Sequence, residues 1–441
     1  MRDGDLVFAK ITPCMENGKI ARLHGLRNGF AFGSTEFIVI RTGDSLDGNY
    51  LAQFLLRRSL RREAQEKMTG TAGQLRVPVG FLKAYRLPLP PMSEQRRIVA
   101  KLEELFSELD AGVAALRRAQ RRLTRYRQAL LHAAVTGELT REWRGQLAQA
   151  AEHAEELLSK VLADREGLKI RVGRQAQANR DAGLELPTIP AKWTWCRLPE
   201  IGELARGKSR HRPRDAKHLY GGPYPFIQTG EIRKSLGSIR QFEQTYSEAG
   251  FAQSRLWPRG TLCITIAANI AETGVLQFEA CFPDSVVGFI PHSSLEVRFF
   301  EAFIRSEKER LESYAPATAQ KNINLETLSS LAVPLPPIEE QQAILAELDR
   351  RLSAADALAA TLHTSLRRAE RLRQSILERA FRGELVPQDP NDEPAEALLA
   401  RMRAAATDVS TPRRRGRPPK AATPTPHPRR RRGRPRKQVK A

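Results

Sequence analysis

One stretch of this chain is written twice. Residues 87–140 and 333–386 align at a constant offset of 246 without a gap, with Pro88/Pro334, Pro90/Pro336, Pro91/Pro337, Glu94/Glu340, Gln95/Gln341, Gln128/Gln374, Gly137/Gly383 and Glu138/Glu384 in register. A period this long is not a solenoid of small units. It describes two whole modules, each a globular segment followed by the same long helix, and a polypeptide built twice over suits a target with two halves.

The first helix follows Pro90-Pro91, with Ser93 placed as an N-terminal cap. Its apolar seam is Ile98, Leu102, Leu105, Leu109, Gly112, Leu116, Ala119, Leu123, Tyr126 and Leu130. The steps alternate 4 and 3, a coiled-coil period. The second helix repeats this with Leu345, Leu348, Leu352, Ala355, Leu358, Leu362, Leu366, Ala369, Leu372 and Ile376. At 1.5 Å per residue each spans about 65 Å, more than a small domain covers, so the pattern predicts that the two pair antiparallel. Each helix is followed by Gly-Glu-Leu and a short amphipathic piece, Glu155-Glu156-Leu157-Leu158 and Glu396-Ala397-Leu398-Leu399.

Upstream of the helices the repeat is looser. Gly4-Asp5-Leu6 matches Gly260-Thr261-Leu262 at offset 256, and Gln74 matches Gln320 at 246. Asp5–Ile11, Glu36–Ile40 and Thr261–Ile266 read as strands; Tyr50–Lys67 and Phe299–Ser313 read as helices. The second globular segment opens at Leu186-Pro187-Thr188-Ile189-Pro190 with Trp193 and Trp195, and the first has no counterpart to residues 186–259. The first is therefore expected to be N-terminally incomplete. The predicted organisation is α+β: a globular domain over 1–91, a helix over 92–136, a linker with a short helix over 137–185, a second globular domain over 186–337, a helix over 338–382, a short helical segment over 383–410 and a disordered basic tail over 411–441.

Charge narrows the partner class. The 441 residues carry a net charge of +22, and 13 of the 72 Lys and Arg lie in residues 411–441, which hold no acid. The remaining chain has 59 bases against 50 acids. A basic body with an extremely basic tail points to a nucleic acid; a solvated arginine-rich surface is the competing reading for the body. No apolar run approaches the roughly 18 residues of a membrane span, and the N-terminus has no signal-peptide core. Cys14, Cys196, Cys263 and Cys281 show no paired spacing and read as free thiols of a reducing cytoplasm.

Three segments are candidate DNA contacts. Gly202-Glu-Leu-Ala-Arg-Gly207-Lys208-Ser209 matches the P-loop pattern by letter, but Pro213 interrupts the helix that a phosphate site requires. It reads better as a basic loop, with Arg206, Lys208, Arg210, Arg212 and Arg214 suited to phosphates or guanine, or else as a solvated loop. The small, polar loops around Gln74 and Arg76 and around Gln320, Lys321 and Asn322 occupy equivalent positions, and Gln and Asn pair bidentately with adenine; a purely structural loop is the alternative. In the tail, Arg415-Gly416-Arg417 and Arg432-Gly433-Arg434 fit a narrow A·T-rich minor groove, the pattern of an AT-hook. No adenine-methyltransferase motif, metal-nuclease set or nucleophile–base arrangement is evident.

Two variable globular units, each ending in PLPPxxEQ, a long helix and Gly-Glu-Leu, resemble the specificity subunit of a type I restriction–modification system over residues 1–405. The resemblance implies two target recognition domains reading a split DNA sequence, held in a pseudo-twofold arrangement by an antiparallel coiled-coil spacer. It implies double-stranded DNA, two modification (methyltransferase) subunits and restriction (endonuclease/translocase) subunits as partners, in the bacterial cytoplasm. S-adenosylmethionine, ATP and Mg would act on those partners, with no cofactor and no catalytic residue in this chain. A self-contained methyltransferase or nuclease, and an AT-hook protein that bridges DNA, are the alternatives.

Overall fold

The computed structural model describes residues 1–71, 73–146, 153–167, 186–211, 213, 216–314 and 322–409. Two continuous helices of 44 residues each, Met92–Val135 and Ile338–Phe381, form where the repeated pattern places them. Contacts divide the chain into two units: Met1–Leu109 with Arg371–Ala441, and Asp110–Glu370. Each unit thus holds one globular head, the start of the long helix that follows it and the end of the other long helix.

The first unit's head is a three-stranded antiparallel sheet in the order β2-β1-β3, from β1 (Leu6–Ala9), β2 (Ile20–Arg22) and β3 (Phe37–Ile40). β1 is central and buried throughout. The helix Gly48–Leu55 covers the sheet, and the Asp47 side chain caps it by accepting from the amides of Asn49 and Tyr50. The helical segment predicted over Tyr50–Lys67 is broken at Leu56-Arg57 and resumes as Arg58–Glu66. Leu6, Phe8, Tyr50, Phe54 and Leu60 bury against Ile98, Leu102 and Phe106 of the first long helix and Leu377, Ala380 and Phe381 of the second. Each fully buried side chain of this size contributes roughly 1.5–3 kcal/mol.

The second unit's head is larger. Its main sheet runs β5-β11-β9-β10-β7, from β5 (Gly202–Arg206), β7 (Gly237–Ile239), β9 (Leu262–Thr265), β10 (Thr273–Leu276) and β11 (Val286–Pro291). Only the β7–β10 pair is parallel. β6 (Tyr220–Phe226) pairs with β8 (Gln244–Tyr246), and β4 (Thr194–Cys196) pairs antiparallel with β12 (Val333–Leu335). The helix Val297–Ser306 packs on this sheet as Gly48–Leu55 does on the smaller one. The order β10-β9-β11 repeats β2-β1-β3, so the smaller sheet is the centre of the larger.

Within the second unit, Leu116, Ala119 and Leu123 pack with Ala355, Ala359 and Leu362, and Arg127 pairs with Asp356. Further along, Thr140 Oγ1 donates to Glu340 at 2.7 Å. The partners descend as the first helix ascends, so the helices run antiparallel. Within the first unit, Phe106 carries the Arg373 guanidinium 4.4 Å from its ring centre, and Arg97 pairs with Asp392, again in opposite senses. The seam is narrower than the heptad pattern predicts: Gly112, Tyr126, Leu358 and Leu372 are exposed. Ser93 does not cap its helix; its hydroxyl donates to Asp392 at 2.5 Å.

The repeated Gln is the joint between head and helix. Gln95 Oε1 accepts from the Asp47 amide at 2.8 Å and its Nε2 donates to the Pro90 carbonyl at 2.9 Å. Gln341 Oε1 accepts from the Glu296 amide at 3.1 Å and its Nε2 donates to Pro336 at 2.9 Å. Asp47 and Glu296 are the residues that begin the two head helices. Both glutamines are fully buried, where an unmade bond would cost the desolvation of the amide. The far ends of the long helices make a second, looser grip. Gln374 accepts from the Arg58 amide in the first unit, and Gln128 donates to the Ser306 carbonyl in the second.

Candidate nucleic-acid interface

Antiparallel pairing fixes which loops share one end of each sheet. In the first unit the end of β1, the start of β3 and the loop 69–76 meet. The Lys10 amide donates to Glu36, the Val77 amide to Lys10, and Ile11 bridges to Arg76. In the second unit the Ile266 amide donates to Ser285, the Ile323 amide to Ile266, and Ala267 bridges to Asn322. These are the same three connections, displaced by 256 residues at Lys10/Ile266 and Ile11/Ala267, by 246 at Val77/Ile323 and Arg76/Asn322, and by 249 at Glu36/Ser285. The loops of Gln74 and Asn322 therefore stand at corresponding places, as the looser part of the repeat predicts.

The second unit adds the basic loop to that end. Val287 of β11 lies opposite Arg206, and Val286 lies opposite Thr265. The segment after Arg206 consequently leaves the sheet at the end where β9 finishes, with β11 between them, and runs against Phe282, Gln253 and Ser254. Lys208, Arg210 and Asn322 are exposed there. Arg206 is exposed too, but its Nε and Nη2 donate to the Asp284 carbonyl at 3.1 and 2.8 Å. Arg212, Arg214, Gln320, Lys321 and the four tail arginines Arg415, Arg417, Arg432 and Arg434 lie outside the described residues.

The P-loop-like letters do not build a phosphate cradle. The Gly207 and Lys208 amides donate to the Val286 and Phe282 carbonyls, and Ser209 is buried against Tyr246. In the first unit Gln74 is exposed, whereas Arg76 is captured. Its Nε and Nη2 donate to the Glu36 carboxylate at 2.9–3.1 Å and its Nη1 to the Gln74 carbonyl at 2.9 Å. That guanidinium holds Glu36 below the usual carboxylate range. Arg76 thus orders its loop, leaving Gln74 the freer group.

Sequence reasoning missed the β9–β10 turn. Ala268 and Ala271 adopt φ of +65° and +56°, a left-handed conformation that costs a non-glycine residue on the order of 1 kcal/mol. The Thr265 hydroxyl donates to the Asn269 carbonyl and accepts from the Glu272 amide, closing the turn. No local sequence signal marks alanine for this backbone. The turn presses directly on Asn322 through the Ala267 bridge.

Among the described residues no cluster of three His, Cys, Asp or Glu is placed to hold a metal. Burial pushes the thiols of Cys196, Cys263 and Cys281 up. Burial likewise raises Glu301, which accepts from Thr273 Oγ1 at 2.9 Å and sits 3.4 Å from Arg305.

A family profile described as "Type I restriction modification DNA specificity domain" matches residues 14–115 and 190–367, more than half of the chain. The specificity subunit of the type I restriction enzyme EcoDI of Escherichia coli is 27% identical over 364 residues, covering 80% of this chain and 75% of that protein. The EcoAI specificity subunit of the same species is 40% identical over 109 residues, covering 24% of this chain and 18% of that one. A solved structure concerned with complex assembly and conformational transition of the type I R-M system has a chain with a TM-score of 0.62 and 24% identity. The match covers 87% of this chain and 83% of that one.

Proposed function

Because the chain belongs to the type I restriction–modification DNA specificity family, we propose that it is the non-catalytic subunit that reads a bipartite DNA sequence for such a complex. Each head reads one half-site through the end of its sheet. In the first unit this uses the loop of Gln74, with Arg76 as its brace. In the second it uses Lys208, Arg210 and Asn322, with Arg206 holding the base of the basic loop. Arg212, Arg214, Gln320 and Lys321, which lie outside the described residues, join them as DNA contacts on the strength of their side-chain chemistry. The paired helices set the gap between half-sites. Two sites on one face of the duplex lie about 34–36 Å, or one turn, apart, within the ~65 Å span of each helix. Two modification subunits and the restriction subunits dock on this frame and supply S-adenosylmethionine, ATP and Mg chemistry. The work is done on DNA in the bacterial cytoplasm; no helix among the described residues is long and apolar enough to cross a membrane. The arginines of the tail add binding that is independent of the target sequence.

The observation that carries this reading is the pair of loops held at corresponding sheet ends by the same three backbone connections. The decisive experiment is mapping of methyladenine in host DNA with the gene present and deleted. A split motif that disappears with the gene is expected, and it should persist when residues 411–441 are removed. An unsplit motif, or one lost with the tail alone, would overturn the proposal. In vitro, Lys208→Ala with Arg210→Ala should lower affinity and flatten the salt dependence by roughly one to two released counterions.

A further inference from the structure

A turn at one edge of the second unit's sheet holds a leucine where neither packing nor backbone calls for one. The helix Thr229–Lys234 ends at Ser235, and β7 begins at Gly237. The Ser238 amide donates to the Ser235 carbonyl at 3.1 Å, which closes a four-residue turn with Leu236 and Gly237 at its centre. Leu236 has a φ of +50° and Gly237 a φ of +96°. Positive φ at both central positions is the type I′ pattern, where Asn, Asp and Gly dominate. A leucine there carries its Cβ on a strained backbone. Burial does not offset the strain: Leu236 is 89% exposed, the most exposed large apolar side chain among the described residues of this unit.

The turn is firmly held. The Ser235 hydroxyl donates to the Ile232 carbonyl at 2.7 Å, and Glu231 accepts from the amides of Gln228 and Glu243 at 2.8 Å each. Ile232 and Ile239 are buried on either side of it in sequence. Gly237 packs so closely on the helix Val297–Ser306 that an added Cβ would lie 3.0 Å from the Glu301 carboxylate. The place of the turn in the sheet is also defined. β7 runs parallel to β10 with Gly237 opposite Gly274, and Thr273 lies opposite Ile264 of β9. Leu236 thus stands at the end of the sheet where β9 finishes, the end that carries the basic loop and Asn322. Of the four non-glycine residues with positive φ among the described residues, Leu236, Ala268 and Ala271 all lie at this end. Backbone strain of this kind concentrates at binding sites.

We propose that Leu236 reads a thymine, its side chain resting on the C5-methyl in the major groove of the half-site held by the second head, a role that rests on this end of the sheet facing DNA as proposed. Base edges in that groove are polar apart from the thymine methyl, which is therefore the apolar complement a leucine meets there. β7 lies two strand spacings from β9, about 10 Å, inside the ~12 Å width of one major groove. Arg233 and Arg240, both exposed, flank the turn in sequence and suit the neighbouring phosphates. Because the turn is already fixed, presenting the leucine requires little ordering when DNA binds. An uncovered leucine on a strained backbone thus gains a partner that the hydrogen-bonding groups of Lys208, Arg210 and Asn322 would not serve.

The probe is uracil in place of thymine, which removes the C5-methyl and leaves every hydrogen-bonding group of the base. Labelled duplexes carrying the split target found by methyladenine mapping are made with uracil on both strands of one half-site at a time. They are titrated with the full-length chain assembled with its modification subunits and followed by fluorescence anisotropy. For the native chain, uracil in one of the two half-sites should lower affinity roughly 3- to 10-fold. Leu236→Ala should lower affinity for the thymine duplex by a similar factor and abolish the further effect of uracil in that half-site. Leu236→Gly should bind as weakly while resisting denaturant at least as well as the native chain, since glycine relieves the turn. A fall in stability that tracks the loss of binding would overturn the proposal. So would losses from uracil and Leu236→Ala that simply multiply, as insertion between bases would give, or a Leu236→Ala chain that binds DNA like the native one. A defect of Leu236→Ala confined to assembly with the modification subunits would overturn it in favour of a protein interface. A native complex that distinguishes no split target would overturn the bipartite reading and this role with it, whereas site-specific native binding without coupling between Leu236 and the methyl would overturn this role alone.

Discussion

The two units share a joint and differ in the head built on it. Gln95 and Gln341 make the same bonds to a head-helix amide and a proline carbonyl, and both heads centre on the same three strands. Around that common part, the second unit satisfies its buried carboxylate with Trp193, Thr140 and Arg144, while the first leaves Glu94 without a hydrogen bond among the described residues. The repeated signature therefore specifies how a head is attached. Whether the groups it buries are fully partnered depends on residues outside the signature.

The largest expected effect comes from the two glutamates. Glu340→Leu removes the acceptor for three donors and should destabilise the second unit by about 3–5 kcal/mol, whereas Glu94→Leu should leave the first unit unchanged or slightly firmer. All four tryptophans belong to the second unit, so denaturant unfolding followed by tryptophan fluorescence reports the first effect. Hydrogen exchange in residues 1–109 reports the second. Equal losses would end the claim that the two carboxylates are differently served.

A smaller effect tests the sameness of the joint. Gln95→Ala and Gln341→Ala should each cost roughly 1–3 kcal/mol by stranding an amide and a carbonyl. The two losses, read as local hydrogen-exchange protection at the start of each head helix, should match. A clear imbalance would break the equivalence.

The smallest effect depends on pH. The Arg41 guanidinium holds buried Asp5 down to about 2, against the ordinary value near 3.8. Its stabilisation is therefore present above the ordinary value and is lost as pH falls from about 4 through about 2. Arg41 is half exposed, which limits the contribution to the order of 1 kcal/mol. Asp5→Asn should cost that much at pH 7, and the difference from the native chain should vanish near pH 2. At the matching position Thr261 does not titrate and donates to the Pro258 carbonyl at 2.7 Å. Thr261→Ala should therefore show no such pH dependence in parallel denaturation curves.

The long helices were legible because a gapless repeat and a 4-3 pattern are local signals; the repeat also marked Gln95 and Gln341, but what they hold was not legible from it. β1, β3 and β9 were legible for the same reason, and the two offsets, 256 and 246, correctly predicted that the loops of Gln74 and Asn322 correspond. Long-range pairing was not legible. Nothing near Arg206 announces that β5 will lie beside β11, some eighty residues later, and bring the basic loop to the same end of the sheet as the close of β9. The capture of Arg76 by Glu36, 40 residues upstream, is equally invisible to spacing arguments. Tyr126 and Leu358 are exposed although their seam neighbours Leu123, Leu130, Ala355 and Leu362 are buried, a local departure that a seven-residue template does not contain.

The joint has one more property. Each glutamine holds its head by main-chain atoms alone: an amide at the start of the head helix and the carbonyls around it. Main-chain groups are common to every amino acid. A head could therefore be rewritten residue by residue without disturbing these bonds, so long as the side chains that bury against the helices, such as Leu6, Phe8 and Tyr50, keep their fit. A lineage that must keep inventing new addresses on DNA would find this an interchangeable fitting.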